Sequence, residues 1–392
     1  MRSEWNASTI GESCSLVTDG SHFSPKSVEN GEYMVSVKDF TGYGFDFKSC
    51  RRISREDYET LKINGCVPKQ NDILIGKDGA RYFEDIVIYR QPERPALLSS
   101  IAILRCDEHK ILPEFLYYIL RTPSFRQYVR DNYGSGSAIP RIILRDFKRM
   151  PISYPSLEEQ KKVASVLTAL DSRIRINEQI NDNLLQQAAA LYGKYFPYVI
   201  TDELPEGWSV GTVGDIVEIH DSKRIPLSGE QRAKMEKRIY PYYGAASLMD
   251  YVDEYIFDGR YLLLGEDGTV VDEYGYPILQ YVWGKFWVNN HAHILTGKMG
   301  FNVETLYLLF SRTPVKSIVT GAVQPKISQA NLRSIQVVIP PENELGVFNE
   351  LVCAMFDQFR QNQEQNNRLS AMRDSLLPKL MSGEIDVSDV QL

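Results

Sequence analysis

Two histidines one residue apart, His291-Ala292-His293, have the spacing with which a strand presents a pair of imidazoles to a metal. A zinc site needs three or four ligands, and no further clustered ligand accompanies this pair, so a structural role is the better reading. Asp78-Gly79, preceded by Lys77, and Asp267-Gly268 offer carboxylates, yet Asp-Gly is first of all a turn signal. Pro340-Pro341-Glu342 lacks the aromatic residue with which an adenine methyltransferase grips a flipped base. No Gly-x-x-x-x-Gly-Lys-[Ser/Thr] loop occurs, so nothing in the chain is equipped for ATP-driven movement. The cysteines, at 14, 50, 66, 106 and 353, form no Cys-x-x-Cys pair; their odd number argues against a disulfide framework and fits a reducing cytoplasm. Neither a signal peptide nor an apolar run of membrane length is present.

What remains is a surface for binding. Arg141, Arg145, Lys148 and Arg149 form the densest basic cluster, and Lys326 and Arg333 repeat two of its positions. The net charge of −7 argues, by itself, against a phosphate-bearing partner. The average conceals a gradient: residues 1–156 carry 22 basic against 20 acidic side chains, 201–341 carry 13 against 17, and 342–392 carry 4 against 9. Contact with a polyanion must therefore use local basic patches.

The elements that would position these patches are written twice. At an offset of 185, Gly136 meets Gly321, Pro140 meets Pro325, Arg141 meets Lys326, Ile142 meets Ile327, Lys148 meets Arg333 and Pro155 meets Pro340, without a gap. The offset continues into Leu167 with Val352, Leu170 with Met355, Ile174 with Phe359 and Leu184 with Leu369. In this second region Leu167, Leu170, Ile174, Asn177, Asn181 and Leu184 alternate steps of three and four, as do Val352, Met355, Phe359, Asn362, Asn366 and Leu369. That is a coiled-coil seam. Helices of nearly forty residues would be about 55 to 60 Å long, and the natural partner of each is the other. Antiparallel pairing would set Asn177 against Asn366 and Asn181 against Asn362, fixing register through polar seam residues.

Outside the helices, short β-like runs such as Asp72-Ile73-Leu74-Ile75 and Tyr261-Leu262-Leu263-Leu264 alternate with Gly, Asp and Pro turns, and each half holds one helix, around 113–121 and 303–311. The expected fold is α+β: two globular domains, 1–156 and 197–341, and two long helical segments, 157–196 and 342–392, paired as an antiparallel coiled coil with pseudo-two-fold symmetry.

In this order of parts, the chain resembles the specificity subunits of type I restriction-modification systems. The resemblance rests on Leu204-Pro205-Glu206-Gly207-Trp208, Asp19-Gly20-Ser21-His22, Tyr242-Tyr243-Gly244-Ala245 leading to Leu264-Gly265-Glu266-Asp267-Gly268, the Gly-x-x-x-Pro-[Arg/Lys]-Ile segments, and the exits at Tyr154-Pro155 and Ile339-Pro340 into long helices. One departure is Glu266, where the family often has a small or basic residue. The resemblance implies two target-recognition domains that each read half of a split site in double-stranded DNA. It also implies two methyltransferase subunits carrying S-adenosylmethionine and a restriction subunit using ATP and Mg, with no cofactor on this chain. Alternatives are a reader for a methylation-only assembly and, from the acidic charge, a DNA-free scaffold.

Under this reading Arg141, Arg145, Lys148, Lys326 and Arg333, lying in shared scaffold, suit phosphate anchoring. Residues peculiar to each half suit base reading: Ser21, His22, Lys77 and Arg81 in the first, Lys223, Arg224, Lys285 and His291 in the second.

Overall fold

The computed structural model describes residues 5–133, 140–321 and 323–390; Gly136, one anchor of the internal repeat, lies outside them. The chain divides into two compact units, residues 1–175 with 365–392 and residues 176–364. The division falls inside the long helices, because each half-helix joins the core of a globular part.

Both globular parts open with the same device. In the first, strand Asn6–Thr9 pairs antiparallel with Pro151–Tyr154, and Thr9 caps a short helical turn, Ile10–Ser13, in a reciprocal box with Glu12. In the second, Ser209–Thr212 pairs with Gln336–Ile339, and Thr212 forms the same box with Asp215. A hydroxyl accepting a backbone N–H three residues on, with a carboxylate returning the favour, satisfies two otherwise orphaned donors. The strand pairing thereby ties the start and end of each globular part together next to a long helix.

Between these ties the halves diverge. The first has a four-stranded antiparallel sheet in the spatial order Cys14–Asp19, Ile101–Cys106, Ile73–Gly76, Ile86–Ile88, and a smaller sheet of Arg51–Ile53, Glu32–Val35 and Ala96–Leu97. The second has one six-stranded sheet in the order Val217–Ile219, Ala292–Gly297, Phe257–Gly265, Leu279–Val288, Tyr240–Tyr243, Leu248–Val252. The helices expected near 113–121 and 303–311 are Pro113–Arg121 and Val303–Phe310. Each packs its apolar face on the sheet.

The long helices run Leu157–Tyr195 and Glu342–Met381. In the first unit Val163, Leu167, Leu377 and Leu380 share a core with Phe115, Tyr118 and Tyr154. There Asp171 accepts from Arg373 at 2.9 Å, and Asn366 donates to the Ile174 carbonyl at 3.4 Å. In the second unit Ala188, Tyr192, Phe348, Val352 and Phe356 join Val213, Leu306 and Ile339. Here Asn362 Nδ2 donates to Asn181 Oδ1 at 2.8 Å, and Asn181 Nδ2 donates to the Phe359 carbonyl at 3.2 Å. Rising numbers on one helix meet falling numbers on the other in both units, so the pairing is antiparallel. Leu167, Ile174, Asn177, Asn181, Val352, Asn362 and Asn366 are buried, and Leu170, Leu184, Met355, Phe359 and Leu369 are half-buried. Among the described residues no helix is long and apolar enough to cross a membrane.

Candidate nucleic-acid interface

Two motifs separated by about sixty residues in sequence meet in each unit. In the first, the Gly79 N–H donates to the Pro140 carbonyl at 3.0 Å and the Ile142 N–H to the Lys77 carbonyl at 3.0 Å. In the second, Gly268 donates to Pro325 at 2.9 Å and Ile327 to Glu266 at 2.8 Å. The Asp-Gly turn and the Pro-[Arg/Lys]-Ile segment thus form one crossed pair of backbones in both copies. Gly79 at φ 98° and Gly268 at φ 84° occupy the left-handed region in which a side chain is strained. This crossing puts Arg141 and Lys326 at equivalent exposed places beside Asp78 and Asp267.

At the residue before each aspartate the two copies carry opposite charges. Lys77, 5% exposed, lies 3.4 Å from both Asp19 and Asp78. Its counterpart Glu266 receives Arg224 at 2.6 Å and Lys326 at 3.2 Å. A buried charge is tolerated only when paired, and each copy meets that need with partners of its own. Burial would raise the Glu266 pKa, but Arg224, His293 and Lys326 outweigh it and hold the carboxyl below its ordinary value.

The candidates read from sequence therefore separate into two groups. Ser21, Lys77 and Arg224 are turned inward. The Ser21 hydroxyl donates to the Phe23 carbonyl at 2.7 Å and accepts the Phe23 N–H at 3.0 Å. Arg224 donates to the Ala292 carbonyl at 2.7 Å as well as to Glu266. These three are held by partners within the domain and fix loops, with little of each side chain left exposed.

The others reach solvent. His22 lies 3.4 Å from Asp19, Arg81 is bonded to Asp85 at 2.9 Å, and Arg141 stands 3.8 Å from Asp78. Arg145, Lys148, Lys223 and Arg333 are exposed. Lys285 holds its ammonium 4.6 Å above the centre of the Tyr255 ring, and His291 Nδ1 is hydrogen-bonded to Asp267. The structure gathers His22 and Arg141 around the first crossing, and His291 and Lys326 around the second.

His293, by contrast, is fully buried and does not pair with His291. Its Nδ1 is 2.6 Å from Asp221 Oδ2 and its Nε2 2.8 Å from the Ile327 carbonyl. Asp221, Glu266 and His293 are the one trio of potential metal ligands among the described residues. The Arg224 guanidinium, 3.4 Å from Asp221 and bonded to Glu266, already supplies the positive charge that a metal would bring. Burial would raise the Asp221 pKa, but His293, the Ile294 N–H and Arg224 hold its carboxyl below the usual range.

Sequence reasoning passed over the acids that fasten each globular part to its helices. Asp171 accepts from Tyr118 at 2.8 Å as well as from Arg373. In the second unit Glu304, fully buried, accepts from Tyr281 at 2.7 Å, Arg260 at 2.9 Å and Arg360 at 3.3 Å. Arg373, a charged residue at the next seam position four residues beyond Leu369, is the one sign visible in the sequence.

The type I restriction modification DNA specificity domain matches residues 2–186 and again residues 205–371, so each copy of the repeat is one instance of it. The chain belongs to this family. Its relatives include the MjaIX specificity subunit of a type I restriction enzyme from Methanocaldococcus jannaschii, 28% identical over 71% of either chain. The HindI specificity subunit from Haemophilus influenzae is 20% identical over 81% of this chain and 87% of its own length. Among solved structures, the type I restriction-modification S subunit of M. genitalium covers 96% of both chains at a TM-score of 0.56 and 18% identity. At that identity the likeness speaks for the fold of this family member.

Proposed function

We propose that this member of the specificity family is the address-reading subunit of a type I restriction-modification complex. Residues 1–156 recognise one half of a split DNA site and residues 197–341 the other, while the helical segments 157–196 and 342–392 set the number of unread base pairs between them. The chain performs no chemistry of its own. Two methyltransferase subunits carrying S-adenosylmethionine modify one adenine in each half-site, and an ATP- and Mg-dependent restriction subunit joins the same complex in the cytoplasm.

The observation that carries this reading is the twice-repeated backbone crossing, Asp78-Gly79 with Pro140-Arg141 and Asp267-Gly268 with Pro325-Lys326, which presents an exposed cation at the same place in two otherwise different domains. A shared cation on a shared scaffold suits phosphate anchoring, and the divergent loops around it suit base readout. The test is to exchange residues 1–156 for the corresponding domain of another family member and map the methylated motif in cells. One half-site should change and the other stay. A motif in which both halves change together overturns the modular reading.

A further inference from the structure

The loop after strand Cys14–Asp19 holds an aromatic ring out in water and keeps it there. Phe23 is 65% exposed. Its N–H and its carbonyl are both bonded to the Ser21 hydroxyl, at 3.0 and 2.7 Å. The next residues are tied as well: Arg51 donates to Ser24 Oγ at 2.9 Å and to the Pro25 carbonyl, and the Val28 N–H donates to the Arg52 carbonyl at 3.0 Å. Ser21 itself is stitched into the sheet, its N–H to Leu97 at 2.7 Å and its carbonyl to the Ser99 N–H at 2.9 Å. A mobile loop could fold such a ring against the protein and remove apolar surface from water. This one is fixed by its own backbone bonds.

The same loop is wired to the crossing that carries Arg141. His22 contacts Asp19 at 3.4 Å, Asp19 contacts Lys77 at 3.4 Å, Lys77 contacts Asp78 at 3.4 Å and Asp78 contacts Arg141 at 3.8 Å. Basic and acidic side chains alternate along this line, and both exposed ends, His22 and Arg141, are basic residues. A ring fixed next to such groups faces whatever those groups approach.

We infer that Phe23 is a specificity-determining residue of the first domain, making an apolar contact with the 5-methyl group of a thymine in its half-site. The inference rests on the proposed reading of residues 1–156 as a DNA-recognition domain. Of the groups that base pairs display in the grooves, the thymine methyl is the apolar one, and an aromatic side chain is among its known partners in protein–DNA recognition. A wedge driven between base pairs is the other use of an exposed apolar residue. The polar neighbours His22, Ser24 and Lys26 fit an edge contact, since they would remain solvated or meet phosphate while the ring touches the base.

The experiment uses the full complex with its methyltransferase, on duplexes carrying the motif mapped in cells. Each thymine of the first half-site is replaced in turn by deoxyuridine, which lacks only the methyl group, and binding is compared for the unaltered protein, Phe23→Ala and Phe23→Leu. One replacement should weaken the unaltered protein about tenfold, the low end of what one methyl group is worth, and have no further effect on Phe23→Ala. Phe23→Leu should retain part of the discrimination. Binding to unrelated DNA and the melting temperature should not move, because most of the residue's surface is already in solvent.

A half-site without thymine, a Phe23→Ala loss independent of every deoxyuridine, or an equal loss on unrelated DNA overturns the assignment while leaving the domain a DNA reader. Failure of the unaltered complex to bind any duplex overturns the reading beneath it as well.

Discussion

Asn362 donates its side-chain amide to the side-chain oxygen of Asn181 at 2.8 Å, with both residues buried between the long helices. Each has a second bond: Asn181 Nδ2 to the Phe359 carbonyl at 3.2 Å, and Asn362 Oδ1 from Gln358 at 2.8 Å. Polar residues in a seam weaken the pairing yet fix its register, because every shifted alignment leaves an amide without its partner.

The pair should therefore behave cooperatively in a mutant cycle. Asn181→Leu and Asn362→Leu should each destabilise by roughly 1 to 3 kcal/mol, the cost of leaving a buried amide unmatched. The double variant should recover much of that loss, giving a coupling of about 0.5 to 3 kcal/mol in urea unfolding. Strictly additive losses would show that the two amides act independently.

The phosphate anchoring proposed for Arg141 and Lys148 is separable from base reading through its salt dependence. Replacing both with alanine should weaken binding to cognate and unrelated duplexes alike. It should also lower the slope of log K against log salt by roughly one unit per lost contact. A loss confined to the cognate site would make these residues base readers.

In the proposed reading the spacer length is set by the helices. Seven residues with the seam pattern, inserted after Asn181 and also after Gln361, keep the Asn181 and Asn362 pair in register and set the two new heptads opposite each other. Each helix lengthens by about 10 Å, equivalent to roughly three base pairs of DNA rise. Methylation mapping should return the same half-sites with a longer gap, at activity reduced by the accompanying rotation of the duplex. An active variant with an unchanged gap would refute the ruler.

The acid limb of stability should reflect Asp221 and Glu266. Burial acts to raise both, but His293, Arg224, Lys326 and the Ile294 N–H prevail, and both folded carboxyls lie below their ordinary values. Their contribution is complete above the unfolded carboxylate range of about 4 and is lost as pH falls through the lower folded values. Melts from pH 7 to 3 should show Asp221→Asn less stable by about 3 kcal/mol at neutral pH and less sensitive to acid than the unaltered protein. An unchanged acid limb would remove Asp221 from that role.

The parts of this structure that could be read from sequence were those encoded locally or twice. The seam from Leu167 to Leu184 is a matter of steps of three and four, and the 185-residue offset compares the chain with itself. Ser21, Lys77 and Arg224 could not be placed in the same way. A serine, lysine or arginine in a turn is ordinarily solvated. What turned these inward are partners remote in sequence: Leu97 and Ser99 for Ser21, Asp19 for Lys77, and Glu266 with Ala292 for Arg224. The crossing of Asp-Gly with Pro-[Arg/Lys]-Ile was legible only as two repeated motifs. Their meeting depends on sheets that differ between the copies.

Because the division between units falls inside the helices, residues 365–390 complete the unit begun by residues 5–175, whereas residues 176–364 complete theirs without interruption. Synthesis on the ribosome runs from the N-terminus, and domains usually fold in that order. Here the order is inverted. The domain made first must wait, its helix-facing apolar residues such as Val163 and Leu167 lacking Leu377 and Leu380, until residues 365–390 emerge. The second domain has by then had all of its sequence available. A chain cut after residue 364 would thus hold every residue of the later unit and lack the segment that completes the earlier one.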